Sequence, residues 1–345
     1  MSVEAISQTG SGEPQRAAAP EALLDVTDLT VLHRRKSDSV SLVDGVSFSV
    51  RRAEIFGLVG ESGSGKSITA LATIRLLAEG IGATGRILFE GRDLSTLSES
   101  EMRRVRGGKI SMIFQEPSAA LNPVFTIGSQ IVAAIRAHGS VGKADAHRRA
   151  VELLRKVGIP DPDNRMAFYP HQLSGGMCQR VMIAMALAAG ARLVIADEPT
   201  TALDVTIQAE IVRLLRQLVD DTGVGLLFIS HDLGLVAELC DRVAVVYAGQ
   251  IVETGANAAL LQRPLHPYMQ GLLRCAAHLE DVGHVRGGIP GVPPSPGAWP
   301  QGCRFQARCQ FATDGCERPQ ELREVEGGHL VRCWRAGNLP EGATA

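Results

Sequence analysis

Eight consecutive residues, Gly60-Glu61-Ser62-Gly63-Ser64-Gly65-Lys66-Ser67, constrain the fold of this chain more than any other feature. They spell a glycine, four residues, then Gly-Lys-Ser, the pattern of a phosphate-binding loop. The short apolar run Ile55-Phe56-Gly57-Leu58-Val59 precedes them, and Ile68 to Ala78, with helical character, follows. A strand that feeds a glycine-rich turn into a helix turns backbone N–H groups inward around an anion and sets the positive end of the helix dipole behind them. Lys66 then supplies a point charge for the β- and γ-phosphates of a nucleotide, and Ser67 a hydroxyl ligand for Mg²⁺. The competing reading, a glycine-rich turn that binds nothing, is disfavoured by the strand before it and the helix after it.

The rest of the chain suits such a loop. Leu24, Val26, Leu29, Val31, Val43, Val46, Phe48 and Val50 alternate with polar residues, as antiparallel strands do around a polar turn at Arg34 to Ser39. Strands are expected at Arg86 to Asp93 and Ile110 to Phe114, and helices within 126–160. Further on, Met177 to Ala189 leads into a buried strand at Leu193 to Ala196, and Ile207 to Leu218 leads into Gly225 to Ile229. Helices alternating with buried strands imply an α/β protein with a mainly parallel sheet.

A second phosphate-site element is Leu193-Val194-Ile195-Ala196-Asp197-Glu198. An apolar strand ending in adjacent carboxylates directs one toward the Mg²⁺ shell and the next toward a water aligned with the γ-phosphate. Asp197 is read as the metal-shell residue and Glu198 as the general base. Alone, such a strand end is commonplace, and only the loop at residues 60–67 gives it meaning.

Between the two elements lies Leu173-Ser174-Gly175-Gly176-Met177, followed by Gln179-Arg180, which resembles the signature motif of the ABC ATPase family. Ser-Gly-Gly at a helix start presents a hydroxyl and free N–H groups to an anion. Other family marks fall in order: Gln115 resembles the Q-loop glutamine, Ala202-Leu203-Asp204 the D-loop, and His231 the switch histidine. The resemblance implies a P-loop NTPase of the ABC type, with an antiparallel β subdomain and a helical subdomain over about 116–190. ATP and Mg²⁺ are its cofactors, Gln115 joining Ser67 and Asp197 around the metal. It also implies a dimer in which Ser174, Gly175 and Gly176 of one subunit close over the nucleotide on the partner's residues 60–67, with His231 near the γ-phosphate. The family's adenine-stacking aromatic aligns with His33 here, a departure that reduces stacking area and leaves ATP over GTP selectivity open.

Gln115-Glu116-Pro117, Ala120 to Gly128, Met177 and His266-Pro267-Tyr268 look like the dipeptide/oligopeptide importer branch, which also includes importers of nickel and glutathione. That likeness implies two permease partners, an extracytoplasmic solute-binding protein and a second ATPase subunit, with a heterodimer favoured over a homodimer. Segment 116–130 is either the surface that receives a permease helix or an ordinary loop. The placement would be peripheral, at the cytoplasmic face of the inner membrane.

Composition agrees with that placement. The 35 Lys and Arg against 37 Asp and Glu give a formal net charge of -2, no global reason to bind nucleic acid. The longest apolar stretch, Val181 to Ala191, falls short of the roughly 20 residues a membrane-spanning helix needs. Residues 1–21 read as a disordered leader, and 22–285 as the ATPase domain.

A composition change at Gly287-Gly288-Ile289-Pro290-Gly291-Val292-Pro293-Pro294 opens a Cys-rich extension over 286–345. Cys303, Cys309, Cys316 and Cys333 cluster there without a Cys-x₂-Cys pair, which counts against an ordinary zinc finger. Their chemistry leaves an iron–sulfur cluster, Zn²⁺ or uncoordinated thiols open; the branch resemblance implies [4Fe–4S]. Cys178, Cys240 and Cys275 read as small buried hydrophobes.

Two other functions compete with ATP-driven import. A non-transport ABC ATPase acting on nucleic acid or the ribosome would usually carry a long coiled coil, a second nucleotide domain or a basic arm, and none is evident. A regulatory subunit that binds ATP without hydrolysing it is disfavoured because Lys66, Asp197, Glu198 and His231 are all present.

Overall fold

The computed structural model describes residues 22–34, 38–201, 203–277 and 288–339. The leader expected over 1–21 lies outside them, as do Ala202 and the expected domain boundary near residue 285.

Twelve strands are described. They are β1 (Ala22–Arg34), β2 (Ser39–Arg51), β3 (Ile55–Val59), β4 (Ile81–Phe89), β5 (Arg92–Asp93) and β6 (Ile110–Ile113). Then follow β7 (Leu193–Asp197), β8 (Gly225–Ser230), β9 (Arg242–Tyr247), β10 (Gln250–Ala256), β11 (Arg323–Glu326) and β12 (His329–Val331). One antiparallel sheet has the order β2-β1-β4-β5, and a larger one the order β11-β12-β10-β9-β3-β8-β7-β6. Strands β9, β3, β8, β7 and β6 run parallel, and β10 turns back against β9.

Every residue of β3, β7 and β8 is buried, which is why these segments are continuous apolar runs. Their side chains alternate between two cores. Ile55, Val59, Leu226 and Phe228 face the helices. Phe56, Leu58, Leu227 and Ile229 face the antiparallel sheet, where they meet Leu24, Val26, Val46 and Phe48. On the helical side Ile127–Ala137, Lys143–Lys156 and Gly175–Leu187 contribute to one core, within the span expected to be helical. Asp204 caps helix Val205–Thr222 by accepting the Ile207 N–H at 3.0 Å, and Gly223 ends it at φ 68°.

The helix after residues 60–67 runs only from Lys66 to Thr73, five residues short of the expected Ala78. Arg75 takes φ 54°, and its guanidinium donates to Leu94 O at 3.0 Å and Leu97 O at 2.7 Å. Arg106 Nε donates to Ile74 O at 2.8 Å, so contacts distant in sequence override local helical preference.

The C-terminal residues continue the large sheet. Strand β12 pairs with β10, aligning Val331 with Glu253, and β11 pairs with β12. The wholly buried Glu253 carboxylate accepts the N–H groups of Leu265 and His266, each at 2.8 Å, and meets His329 Nε2 at 2.7 Å. Arg304 stacks on Trp299 at 3.8 Å, donates to Ala248 O and pairs with Asp44.

Candidate nucleotide site

Residues 60–67 cross from the C-terminal end of β3 into the helix, under the turn between β9 and β10. Gly60 has φ 156°, and a Cβ there would lie 2.1 Å from Val246 O. Only glycine permits both the conformation and the approach. Gly65 has φ 108° and lies against Leu42 O of β2. The Gly249 N–H donates to Ser64 O at 2.8 Å, joining the loop to the β9–β10 turn. Lys66 is buried, and its ammonium donates to Gly60 O at 2.8 Å and Glu61 O at 3.0 Å. Burial lowers its pKa, opposed by the charges of Glu198, Asp197 and Glu61.

The two acids of β7 arrive beside this loop. The Ser67 hydroxyl donates to Asp197 Oδ1 at 2.9 Å. Burial raises the Asp197 pKa and the Glu198 charge adds to it, while the Ser67 hydrogen bond and Lys66 pull the other way. Glu198 adopts φ 45°, a conformation an L-residue rarely takes, and its N–H donates to Ile229 O at 3.0 Å. One of its carboxylate oxygens, Oε2, meets three groups: Gln115 Nε2 at 3.2 Å, Thr201 Oγ1 at 3.0 Å and His231 Nδ1 at 3.2 Å. Gln115 and His231, separated by more than a hundred residues, are thus gathered on one carboxylate. Thr201 was not anticipated; its signal was a hydroxyl residue in the turn three positions after Glu198.

The remaining expected residues lie elsewhere. Ser174 caps helix Gly175–Leu187, its hydroxyl accepting the Met177 N–H at 3.3 Å, and Ser174 and Gly175 are exposed. With Gly176, which lies beside Ile207, they take no part in the hydrogen bonds that join residues 60–67 to Asp197 and Glu198. An exposed, glycine-lined helix start has unused N–H groups available to an anion from outside the chain. His33 is half-buried in β1, aligned with Val40 and Ile81. Glu61 is held from outside the loop: its N–H donates to the buried Tyr268 hydroxyl at 2.8 Å, and its carboxylate pairs with Arg308.

In the C-terminal region Cys303, Cys309, Cys316 and Cys333 draw together. The Cys303 N–H donates to Cys316 O at 2.7 Å. Burial pushes the Cys303 thiol up to about 11, with Cys333, Cys316 and Cys309 adding to the effect. Burial also raises Cys309 and Cys333; Cys333 and Cys316 act on the first, Cys316 on the second. Each of the four thiols therefore lies within electrostatic reach of the other three. Among the described residues, however, no group of three or more His, Cys, Asp or Glu side chains is arranged to hold a metal ion. Cys178 and Cys240 are buried and Cys275 is half-buried.

A phosphate-binding loop on a parallel sheet, with paired acids beside it and an antiparallel sheet stacked against it, defines a P-loop nucleoside triphosphatase. Residues 43–201 match the family described as "ABC transporter", and residues 252–316 match "Oligopeptide/dipeptide transporter, C-terminal region". A probable peptide ABC transporter ATP-binding protein of Sinorhizobium fredii is 48% identical over 323 residues, covering 92% of this chain and 96% of the relative. The dipeptide transport ATP-binding protein DppD of Escherichia coli is 46% identical over 318 residues, covering 90% and 96%. A bacterial ABC transporter cassette solved as a dimer superposes with a TM-score of 0.61 at 25% identity, covering 68% of this chain and 98% of that one. The chain belongs to the ABC transporter ATP-binding protein family and is an ATPase with the cassette fold of that family.

Among the described residues no helix is long and apolar enough to cross a membrane.

Proposed function

We propose that this chain binds and hydrolyses ATP to power import of di- or oligopeptides, or a related small solute, through membrane-embedded permeases. The observation that carries the hydrolytic part is the convergence of Gln115, Thr201 and His231 on Glu198 Oε2, beside the Ser67–Asp197 hydrogen bond. A carboxylate held by three partners is aimed rather than free, as a base that orients water must be. Lys66 and the N–H groups of residues 60–67 hold the phosphates; Ser67, Asp197 and Gln115 surround Mg²⁺; Glu198 is the base; His231 faces the γ-phosphate; His33 stacks on the adenine.

The cargo class rests on the relatives, whose names specify peptide or dipeptide transport, and on the match at residues 252–316. The exposed Ser174-Gly175-Gly176 helix start fits a cap over a nucleotide held by a second ATPase subunit, a related chain in preference to an identical one. An extracytoplasmic binding protein delivers the cargo, and the chain sits peripherally on the cytoplasmic face of the inner membrane. The ATPase domain spans 22–285, with its helical subdomain at about 116–190, and the Cys-rich extension begins at residue 286. The test is reconstitution with candidate permease subunits of the peptide-importer type. ATP-dependent uptake of labelled dipeptide is expected; ATP turnover that ignores both permeases and peptide would overturn the assignment.

In the extension the reading is a [4Fe–4S] cluster on Cys303, Cys309, Cys316 and Cys333, which rests on the likeness to the peptide-importer branch. Four thiols within electrostatic reach of one another, Cys316 buried and the other three half-buried, are a donor set such a cluster takes. When bound, the cluster would supply cross-links that order a Pro- and Gly-rich tail. Iron and acid-labile sulfide assays on anaerobically purified protein, with a visible absorbance band lost in Cys316→Ser, test it; a metal-free, colourless protein whose tail is ordered would refute it.

A further inference from the structure

We propose that Arg308 is a positioning residue of the nucleotide site: reaching in from the C-terminal extension, it neutralises Glu61 and holds that carboxylate away from the phosphate cradle. Arg308 Nη1 donates to Glu61 Oε2 at 2.6 Å and Nη2 to Glu61 Oε1 at 2.9 Å, a two-pronged pair with a side chain only 4% exposed. The remaining donors are also engaged. Nε donates to Pro290 O at 2.9 Å, Nη2 to Ile289 O at 3.1 Å, and Nη1 to the Tyr247 hydroxyl at 3.4 Å. A planar guanidinium satisfied on every side has one orientation, and a lysine would not reproduce it.

Glu61 is the second residue of the phosphate-binding loop, and its carbonyl accepts from the Lys66 ammonium at 3.0 Å. Its negative charge also acts on that ammonium. Left unpaired, the Glu61 carboxylate would repel an incoming triphosphate and compete with it for Lys66. The Tyr268 hydroxyl fixes the Glu61 N–H, so main chain and side chain of this loop residue are both held by residues far along the chain. The pair links the loop to the proline-rich segment at 289–290 and to the cysteine-bearing tail, since Arg308 precedes Cys309 directly.

The inference rests on residues 60–67 being the ATP site, which Lys66→Ala tests separately. Equilibrium competition of MgATP against a fluorescent ATP analogue is measured on the full-length protein and on R308Q, R308K, E61Q, E61Q/R308Q and E61Q/R308K. We expect R308Q to raise the MgATP Kd about tenfold or more, and R308K to recover only part of that. In the E61Q background, loss of Arg308 should cost less than about threefold, because the charge it neutralises is gone. Three results would overturn the proposal: R308Q within twofold of the parent, equal losses with and without Glu61, or full recovery by R308K. If R308Q does not fold, the same comparison of R308K in the two backgrounds decides. Unchanged binding in Lys66→Ala would instead sink the assignment of the loop.

Discussion

Replacing Glu198, the proposed base, by Gln should separate binding from chemistry at this site. The carboxylate receives Gln115, Thr201 and His231 through a single oxygen, Oε2. An amide carbonyl placed there still accepts from the Thr201 hydroxyl at 3.0 Å, and the side chain keeps its size. The strained φ of 45° at residue 198 is set by the backbone and is unaffected by the exchange. What disappears is the ability to take a proton from water. A positioned general base contributes roughly 10²–10⁴-fold, about 2.7–5.4 kcal/mol of barrier. The phosphate contacts proposed for Lys66 and the loop should remain. In the assembled transporter, single-turnover hydrolysis of labelled ATP should therefore fall at least about 100-fold. The MgATP Kd, measured under the same conditions, should change by less than about threefold, since a base removed from a bound complex costs kcat rather than binding. Turnover above a tenth of the parent value would show that another group activates the water, and the reading of the three-way contact on Glu198 would be wrong.

Four further outcomes are expected. Gly60→Ala should abolish MgATP binding, because the added methyl would lie 2.1 Å from Val246 O at a φ of 156°; filter binding decides it. Asn257→Ala should destabilise the protein by about 1–3 kcal/mol in urea unfolding, since its amide donates to Val236 O, Ala237 O and Cys240 O from a buried position. Glu101 is held down to about 2 by the Ser98 hydroxyl, the Ser98 N–H and Arg92. Its folded pKa lies below the roughly 4.3 of the unfolded chain, so its stabilisation is complete above that value and is lost as pH falls toward 2. Glu101→Gln should flatten the decline in Tm between pH 5 and 2.5, and a parallel decline in both proteins would contradict this. Tyr268→Phe should weaken MgATP binding by orphaning the Glu61 N–H, at about 1–3 kcal/mol, while an unchanged Kd would show the loop holding its shape unaided.

The residues that sequence reading could place are those whose chemistry is contiguous. Strands β3, β7 and β8 are buried on both faces, so each is an unbroken apolar run, and the glycines of residues 60–67 adjoin the lysine they serve. Asp197 and Glu198 were legible because a strand end carries them side by side. Gln115 and His231 were legible only through the family order of motifs, since neither has a local signature. The early end of the helix at Thr73 was not legible, because Arg75 and Arg106 impose it through carbonyls far away in sequence. Nor was the joining of β12 to β10, where a three-residue strand extends a sheet begun elsewhere.

Arg308 shows why such contacts escape a sequence and why they matter. It stands 247 residues from Glu61, inside a tail whose composition suggests irregular structure, and a single arginine there has no pattern to announce it. Its effect is nevertheless local to the phosphates. Two tail arginines flank the first two cysteines of the group, Cys303-Arg304 and Arg308-Cys309. Arg304 donates to Ala248 O, one residue before the Gly249 that holds Ser64, while Arg308 holds Glu61. The tail thus touches the phosphate-binding loop on both sides, directly at Glu61 and through one turn at Ser64.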